Sequence, residues 1–189
     1  MTAVAIDKLT VSEFLEMDDF EEGYIYELIN GEIVRRSSPS TAHQIASENL
    51  NFLLQTFVRA GNLGKCFTAP FDVAFDEENL VVPDLFFVRA ANSSIITRKC
   101  VEGTPDLVVE ILSPGTWRTD RGDKMKLYRR FGVAEYWIVD PKNQAIEIHA
   151  LQNGEYELVS FASETGEIES SVLPGFKLDV QKVFEPAED

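Results

Sequence analysis

Short alternations of apolar and polar residues run through most of this chain, and one long helical pattern interrupts them. In YIYELINGEIVRRS, Tyr24, Tyr26 and Leu28 alternate with Ile25, Glu27 and Ile29. Asn30-Gly31 then supplies the two positive-φ residues that a type I′ turn requires, so the segment predicts a hairpin. Ahead of it, Thr10-Val11-Ser12-Glu13 opens a short helical pattern carrying Phe14, Leu15 and Met17. SPSTAHQIASENLNFLLQTFVRAGN predicts a long helix. Ser38 or Ser40 caps its start, Ile45, Leu50, Leu53, Leu54, Phe57 and Val58 recur at helical spacing, and Gly61 and Gly64 end it.

Two strands are expected next, FDVAF at 71–75 and LVVPDLFFV at 80–88, around the turn Asp76-Glu77-Glu78-Asn79. A polar loop, ANSSIITRKCVEGTP, leads into DLVVEILSP at 106–114, whose apolar run reads as a strand buried on both faces. Pro114 and Gly115 break the chain, a helix runs from about Thr119 to Phe131, and Gly132 is placed for its cap. AEYWIVDP is another buried strand. AIEIHAL and EYELVSF form a hairpin around Asn153-Gly154, and ETGEIESSVLPGFKLDV adds a last turn and strand. No repeat or linker divides the 189 residues, so 1–189 reads as one domain of the α/β or α+β class: a mixed central sheet with at least two flanking helices.

Composition narrows the possibilities. No apolar run approaches the length of a membrane span, and MTAVAIDKLTVSEF lacks the basic start and apolar stretch of a secretory signal, so a cytoplasmic protein with no membrane partner is expected. Cys66 and Cys100 form no CxxC pair and read as reduced thiols. His43 and His149 are the only histidines, too few for a His-rich zinc site, so any metal would be held by oxygen, which points to Mg²⁺ or Mn²⁺. With 17 Lys and Arg against 32 Asp and Glu, the net charge is −15, which argues against non-specific affinity for nucleic acid. The cations are nonetheless concentrated: Arg118, Arg121, Lys124, Lys126, Arg129 and Arg130 fall together beside only Asp120 and Asp123.

Three acids stand where apolar residues would be cheaper: Glu27 in YIYELI, Asp84 in LVVPDLFFV and Glu110 in DLVVEIL. An ionised carboxylate in an apolar interior persists only when a positive group meets it. Strand geometry puts Asp106, Val108, Glu110 and Leu112 on one face and Leu107, Val109 and Ile111 on the other. Pro83 removes a ladder donor, so the strand is expected to bulge or lie at an edge beside Asp84. Each acid alone is explained by a structural ion pair. Asp84 and Glu110 together, followed by a basic helix, make a good seat for Mg²⁺.

Pro83-Asp84 followed by Glu110-Ile111-Leu112 resembles the PD-(D/E)xK nuclease pattern, with Leu112 where the pattern has lysine. The run DLVVEILSPGTWRTDRGDKMKLYRRFGVAEYWIVDP resembles the Uma-two family of restriction-endonuclease-like proteins, as do YELINGEI, the His43 helix and VVPDLFFV, so the likeness covers nearly the whole chain. The resemblance implies a restriction-endonuclease-like core, a mixed sheet flanked by helices. It implies that Asp84, Glu110 and the backbone carbonyl of Ile111 bind Mg²⁺, that Lys124 replaces the missing strand lysine from the following helix, and that Glu27 supports the metal or its waters.

Lys124 and Tyr128 share a helical face, with Asp120 one turn earlier as a competing partner for Lys124. Tyr128 reads as a core aromatic with its hydroxyl tied down, His43 as half-exposed and without a nameable partner, and Trp117 and Trp137 as packing residues. The expected function is a Mg²⁺-dependent endonuclease that hydrolyses phosphodiester bonds, of DNA first, with Arg118, Arg121 and Lys126 on the nucleic-acid backbone and Arg129 and Arg130 beside them. The alternative is a nuclease-fold protein that binds or regulates without cutting. A homodimer through the 144–180 hairpins is compatible with either.

Overall fold

The computed structural model describes residues 8–186. The first seven residues of the segment read as lacking a secretory signal, and the end of the acidic EPAED tail, lie outside that range. In chain order the elements are α1 (Val11–Leu15), β1 (Tyr24–Ile29), β2 (Glu32–Ser37), α2 (Thr41–Ala60), β3 (Gly64–Thr68), β4 (Val73–Asp76), β5 (Asn79–Val81) and β6 (Leu85–Arg89). A 3₁₀ turn over Ala90–Ile95 follows, then β7 (Val101–Glu102) and β8 (Leu107–Ile111). Next come α3 (Trp117–Thr119), a π-helical turn over Asp120–Lys124, α4 (Met125–Arg130), β9 (Glu135–Asp140), β10 (Ala145–Gln152), β11 (Glu155–Ser163), β12 (Glu167–Glu169), β13 (Lys177–Asp179) and α5 (Gln181–Phe184).

A six-stranded mixed sheet, in the order β11-β10-β9-β8-β6-β3, forms the centre, with β8 and β9 parallel and the other pairs antiparallel. One face is covered by α2, α5 and the C-terminal β12–β13 pair. Ala46, Leu50, Leu54 and Val58, each four residues from the next, bring one face of α2 onto Leu107, Val109 and Ile111. Complete burial of each such leucine contributes about 1.5–3 kcal/mol. The other face carries α4 and a five-stranded sheet, β2-β1-β5-β4-β7. There Val108, Phe86, Tyr136 and Ile138 meet Ile29, Val81, Leu127 and Tyr128. The strand expected at 106–112 thus divides its side chains between two cores, as its alternation requires.

Local sequence explains the elements nearest the site. Asn30 and Gly31 take φ of 52° and 75° in the β1–β2 turn, and Asn153 and Gly154 do the same between β10 and β11. Ser40 caps α2 by accepting from the His43 amide. Thr10 and Glu13 form a reciprocal capping box on α1.

Three expectations are corrected. The segment 80–88 is two strands, because Pro83 and Asp84 end pairing in the five-stranded sheet at Val81 and the chain re-enters pairing at Leu85 in the central sheet. The helix expected over 119–131 is wound more loosely at Asp120–Lys124 before regular α geometry resumes at Met125. Gly64 opens a strand absent from the sequence reading, β3. A Cβ there would stand 2.1 Å from the Val88 carbonyl oxygen, so glycine is what lets β3 approach β6. The helix itself ends at Gly61, and Asn62 takes the left-handed φ of 50°.

Candidate active site

Glu27, Asp84, Glu110, Asp120 and Lys124 are all buried, none more than 4% exposed. They come from four segments of the chain, Asp120 and Lys124 sharing one turn, and meet where the two large sheets join. Leu85 pairs with Val109, and this register brings Asp84 alongside Glu110. The Ile111 amide then donates to Asp84 Oδ2 at 2.8 Å. Glu27 enters from β1 and accepts from the Val82 amide at 2.7 Å, a donor that the end of β5 leaves free.

Lys124 closes the cluster from the π-helical turn. Its Nζ donates to Glu27 Oε1 at 2.8 Å and to Glu110 Oε1 at 3.0 Å, with Asp120 Oδ1 at 4.0 Å. Tyr128 OH donates to the same Glu110 oxygen at 2.5 Å. Lys124 and Tyr128 therefore do share a face, and both reach Glu110. Inserted turns of π geometry shift the residues they carry relative to a regular helix and recur at functional sites.

On the outer side of the cluster, Arg36 donates to Asp84 Oδ1 at 2.8 Å and also to the Val82 carbonyl, and His43 Nε2 lies 3.2 Å from Asp84 Oδ2. A cleft of about 220 Å³ opens here, lined by Arg36, His43, Gln44, Asp84, Ser113 and Thr116 among others. Asp84 is thus reached from the cleft, with Lys124 and Glu27 behind it. His43 is buried, at 7% exposure, which corrects the half-exposed reading: the first turn of α2 is turned toward Asp84.

Arg36 is not among the residues singled out in the sequence, and His43 is singled out there without a partner. Arg36 had a legible signal, since the hairpin register places Ile25 opposite Arg36 and Glu27 opposite Val34, so Arg36 and Glu27 share a face. His43 had none, because its partner lies on a segment 41 residues away.

The electrostatics are unbalanced. Four buried carboxylates face two permanent cations, Arg36 and Lys124, with His43 beside them. Burial would raise the Asp84 carboxyl, but the His43 hydrogen bond, the Arg36 guanidinium and the Ile111 amide outweigh it and hold it well below the usual carboxylate range. Burial pushes Glu110 up to about 8, against Lys124 and with Asp84 adding to the rise. Burial opposes the charge on Lys124, yet Glu110 and Glu27 outweigh it and keep its pKa above the ordinary lysine value, so it stands as a cation rather than a base. Buried Glu110 Oε2 and His43 Nδ1 have no hydrogen-bond partner among the described residues.

The basic segment after β8 is less positive than its composition suggests. Arg121 grips Glu147 with two hydrogen bonds of 3.0 and 2.7 Å, Arg129 pairs with Glu155, and Arg130 pairs with Asp76 at 3.2 Å. Lys126 is exposed and 3.6 Å from Asp123. Arg118 is exposed and stacks its guanidinium 5.5 Å from the ring centre of Trp117. Trp137 is buried as expected, but Trp117 is 47% exposed, a correction taken up below.

A family model described as "Uma2: Putative restriction endonuclease" matches residues 11–181, a span that includes every residue of this cluster. The chain belongs to the Uma2 family. This Uma2 chain is 26% identical over 183 residues, 92% of its length, to the uncharacterized protein slr1290 of Synechocystis sp., of which the match covers 90%. Its fold is similar to the crystal structure of a putative nuclease belonging to DUF820 from Anabaena variabilis, with a TM-score of 0.76 and 20% identity, covering 93% of this chain and 97% of the other. The fold is therefore that of a nuclease-like α+β protein with a mixed central sheet. Among its described residues, no helix is long and apolar enough to cross a membrane.

The donor set of this Uma2 protein fits a hard divalent cation. Glu110 Oε2 is a buried carboxylate oxygen with no partner, the cluster carries more negative than positive charge, and Asp84 accepts three hydrogen bonds of the roughly four its oxygens can take. Among the described residues, no three His, Cys, Asp or Glu side chains converge as a closed cage. Two carboxylates with a backbone carbonyl and retained water suit Mg²⁺, which sheds its hydration reluctantly.

Proposed function

We propose that this protein is a divalent-cation-dependent nuclease that hydrolyses phosphodiester bonds in nucleic acid, DNA foremost, and that it works in the cytoplasm. The observation that carries this reading is the juxtaposition of Asp84, just before β6, with Glu110 on β8, with an oxygen of Glu110 uncommitted and Lys124 fixed behind it. Asp84, Glu110 and the carbonyl of Ile111 would hold Mg²⁺, or Mn²⁺ in its place. Bound there, the ion would supply Lewis-acid polarisation of a phosphoryl oxygen and a lowered pKa for water.

The protein's own groups have separate tasks. Arg36, His43 and the Ile111 amide keep Asp84 ionised and aimed. Lys124, kept protonated by Glu27 and Glu110, would oppose the negative charge carried by the phosphoryl oxygens during in-line attack. Glu27 acts through Lys124, holding it against Glu110. His43 lines the cleft and meets Asp84 through Nε2, so its task is to hold that carboxylate in place at the cleft wall. Arg118 and Lys126 are the cations most open to phosphate, whereas Arg121 must first release Glu147.

Pure protein with Mg²⁺ or Mn²⁺ at low salt tests the reading on supercoiled, linear and single-stranded DNA. Cleavage that disappears in Asp84→Ala and Glu110→Ala supports it. No cleavage of any of the three substrates overturns it, and cleavage that persists in both variants overturns the assigned site.

The pairing of Arg121, Arg129 and Arg130 with acids, on a chain of net charge −15, favours a second reading in which the domain binds or regulates without cutting. Under either reading a homodimer would form along β11, the edge strand of the central sheet, where Leu158, Val159 and Phe161 are exposed. Light scattering at micromolar concentration separates monomer from dimer.

A further inference from the structure

The turn Ser113–Trp117 has open space on both sides. On one side lies the Asp84 cleft, lined by Ser113 and Thr116. On the other lies a cavity of about 420 Å³ lined by Leu112, Ser113, Trp117, Arg121, Lys142 and Asn143 among others. That volume lies within the ~300–1,000 Å³ range of small-ligand clefts. Ser113 belongs to both walls, so whatever crosses the Asp84 cleft passes one residue from this cavity.

The cavity combines an aromatic platform with cations. Trp117 is 47% exposed, large for an indole that follows a buried strand by only six positions. The Arg118 guanidinium lies 5.5 Å from its ring centre. Lys142 is exposed and makes no ion pair among the described residues. Asp140, which lines the same cavity, is already committed: it accepts from the Lys142 and Asn143 amides at 3.0 and 3.2 Å and from Asn143 Nδ2 at 2.7 Å. The cavity wall therefore offers the indole of Trp117 and the free charge of Lys142, with Arg118 beside the ring, while Arg121, Asp140 and Asn143 are already engaged with other protein groups and less available to read a base edge. That is the chemistry of a stacking site for an unpaired base, which tolerates any sequence because every base has a π-face.

We infer that the Trp117 cavity receives a nucleobase flanking the scissile phosphate, so that the enzyme selects nucleic acid with unpaired nucleotides at the cleavage point over continuous duplex. This rests on the nuclease reading and specifies its substrate class. Paired bases in a duplex stack on one another and cannot lie on Trp117 without being turned out of the helix. A single strand, flap or bulge presents such a base directly. Arg118 and Lys142 would hold the adjoining phosphates.

Binding of a twelve-residue oligothymidylate and of a duplex of equal length, measured with EDTA present so that neither is cut, tests the assignment in the wild type, Trp117→Ala and Trp117→Phe. The wild type is expected to bind the single strand more tightly. Trp117→Ala is expected to weaken single-strand binding about 5- to 150-fold, the range that follows from loss of one base–aromatic stack. Duplex binding should stay unchanged, and Trp117→Phe should restore most of the loss. Single-strand binding should also shield the exposed tryptophan from acrylamide quenching, while buried Trp137 is inert to the quencher. Equal single-strand affinity in wild type and Trp117→Ala overturns this inference alone. Loss of single-strand and duplex binding together in Trp117→Ala, with Phe no better than Ala, overturns it as well. Failure of the wild type to bind the single strand more tightly than the duplex overturns this inference, while the nuclease reading stands or falls on the cleavage assay with Mg²⁺ or Mn²⁺.

Discussion

The Nζ of Lys124 lies 2.8 Å from Oε1 of Glu27, a carboxylate 97 positions earlier in the chain. The pair is almost completely buried, and neither charge can turn to water if the other is removed. Breaking such a pair from one side is expensive, on the order of 3–5 kcal/mol. Lys124→Met is therefore expected to lower unfolding free energy by about 3–5 kcal/mol, since Glu27, Glu110 and Asp120 all lose their shared cation. Adding Glu27→Gln to Lys124→Met should restore part of the loss. Urea unfolding of the two single variants and the double variant measures the coupling, and strictly additive losses would contradict it.

Divalent cation is expected to stabilise the fold. An ion that binds only the native state at about 100 times its Kd contributes about 2.7 kcal/mol, or roughly 5–10 °C for a chain of this size. The rise in Tm with millimolar Mg²⁺ should vanish in Asp84→Asn and Glu110→Gln. A wild-type Tm indifferent to Mg²⁺ and Mn²⁺ would favour the non-cutting reading.

Glu135 is a buried acid of a different kind. Among the described residues it forms no ion pair, yet it accepts from the indole of Trp137, the hydroxyls of Ser170 and Ser171, and the amides of Ser171 and Val172. These bonds tie the segment before β13 to the central sheet. Glu135→Ala would orphan several buried donors at about 1–3 kcal/mol each before relaxation. A loss of more than about 3 kcal/mol is expected, with DNA cleavage retained in whatever fraction stays folded. A change below about 0.5 kcal/mol in chemical denaturation would mean the network is dispensable.

Glu147 gives the pH dependence a sign. Its hydrogen bonds to Arg121, opposed by partial burial and helped by His149, hold its pKa below the ordinary glutamate value of 4.5. A depressed folded-state pKa contributes stability above the unfolded-state pKa and loses it as pH falls through the folded-state value. Glu147→Gln should therefore be less stable than wild type near about pH 7, and the gap should close in acid, below about pH 4. A gap that stays constant or widens on acidification would assign the effect to packing instead.

Much of this molecule was legible in its sequence, for physical reasons that can be named. Asn30-Gly31 and Asn153-Gly154 specify hairpins because few other pairs accept positive φ at both positions. The apolar stripe of α2 specifies its buried face, and DLVVEIL alternates between two cores. Glu27, Asp84 and Glu110 stood out because an unpaired charge is intolerable in such runs, and each meets a cation: Glu27 and Glu110 meet Lys124, and Asp84 meets Arg36. The same rule did not single out Glu135, which opens its strand and is satisfied by amides and hydroxyls rather than by an opposite charge. What stayed hidden depended on distant segments. Nothing local says that His43 meets Asp84, that Pro83-Asp84 moves the chain between sheets, or that Trp117 faces solvent. Strand β3 was missed because GKCFT is short and mostly polar, and β6 alone supplies its pairing.

The passage of the chain from one sheet to the other at Asp84 has a consequence for the cell that makes this protein. Glu27 and Arg36 belong to the five-stranded sheet, Glu110 to the central one, Lys124 to the turn that follows, and Asp84 to the joint between the sheets. Neither sheet alone holds the full set. A nascent chain still on the ribosome lacks Lys124 until two-thirds of the sequence has been made, and a chain whose sheets have not docked has its carboxylates scattered. Hydrolytic competence would then arrive only with the finished fold, so half-made or misfolded copies would be harmless to the nucleic acid around them.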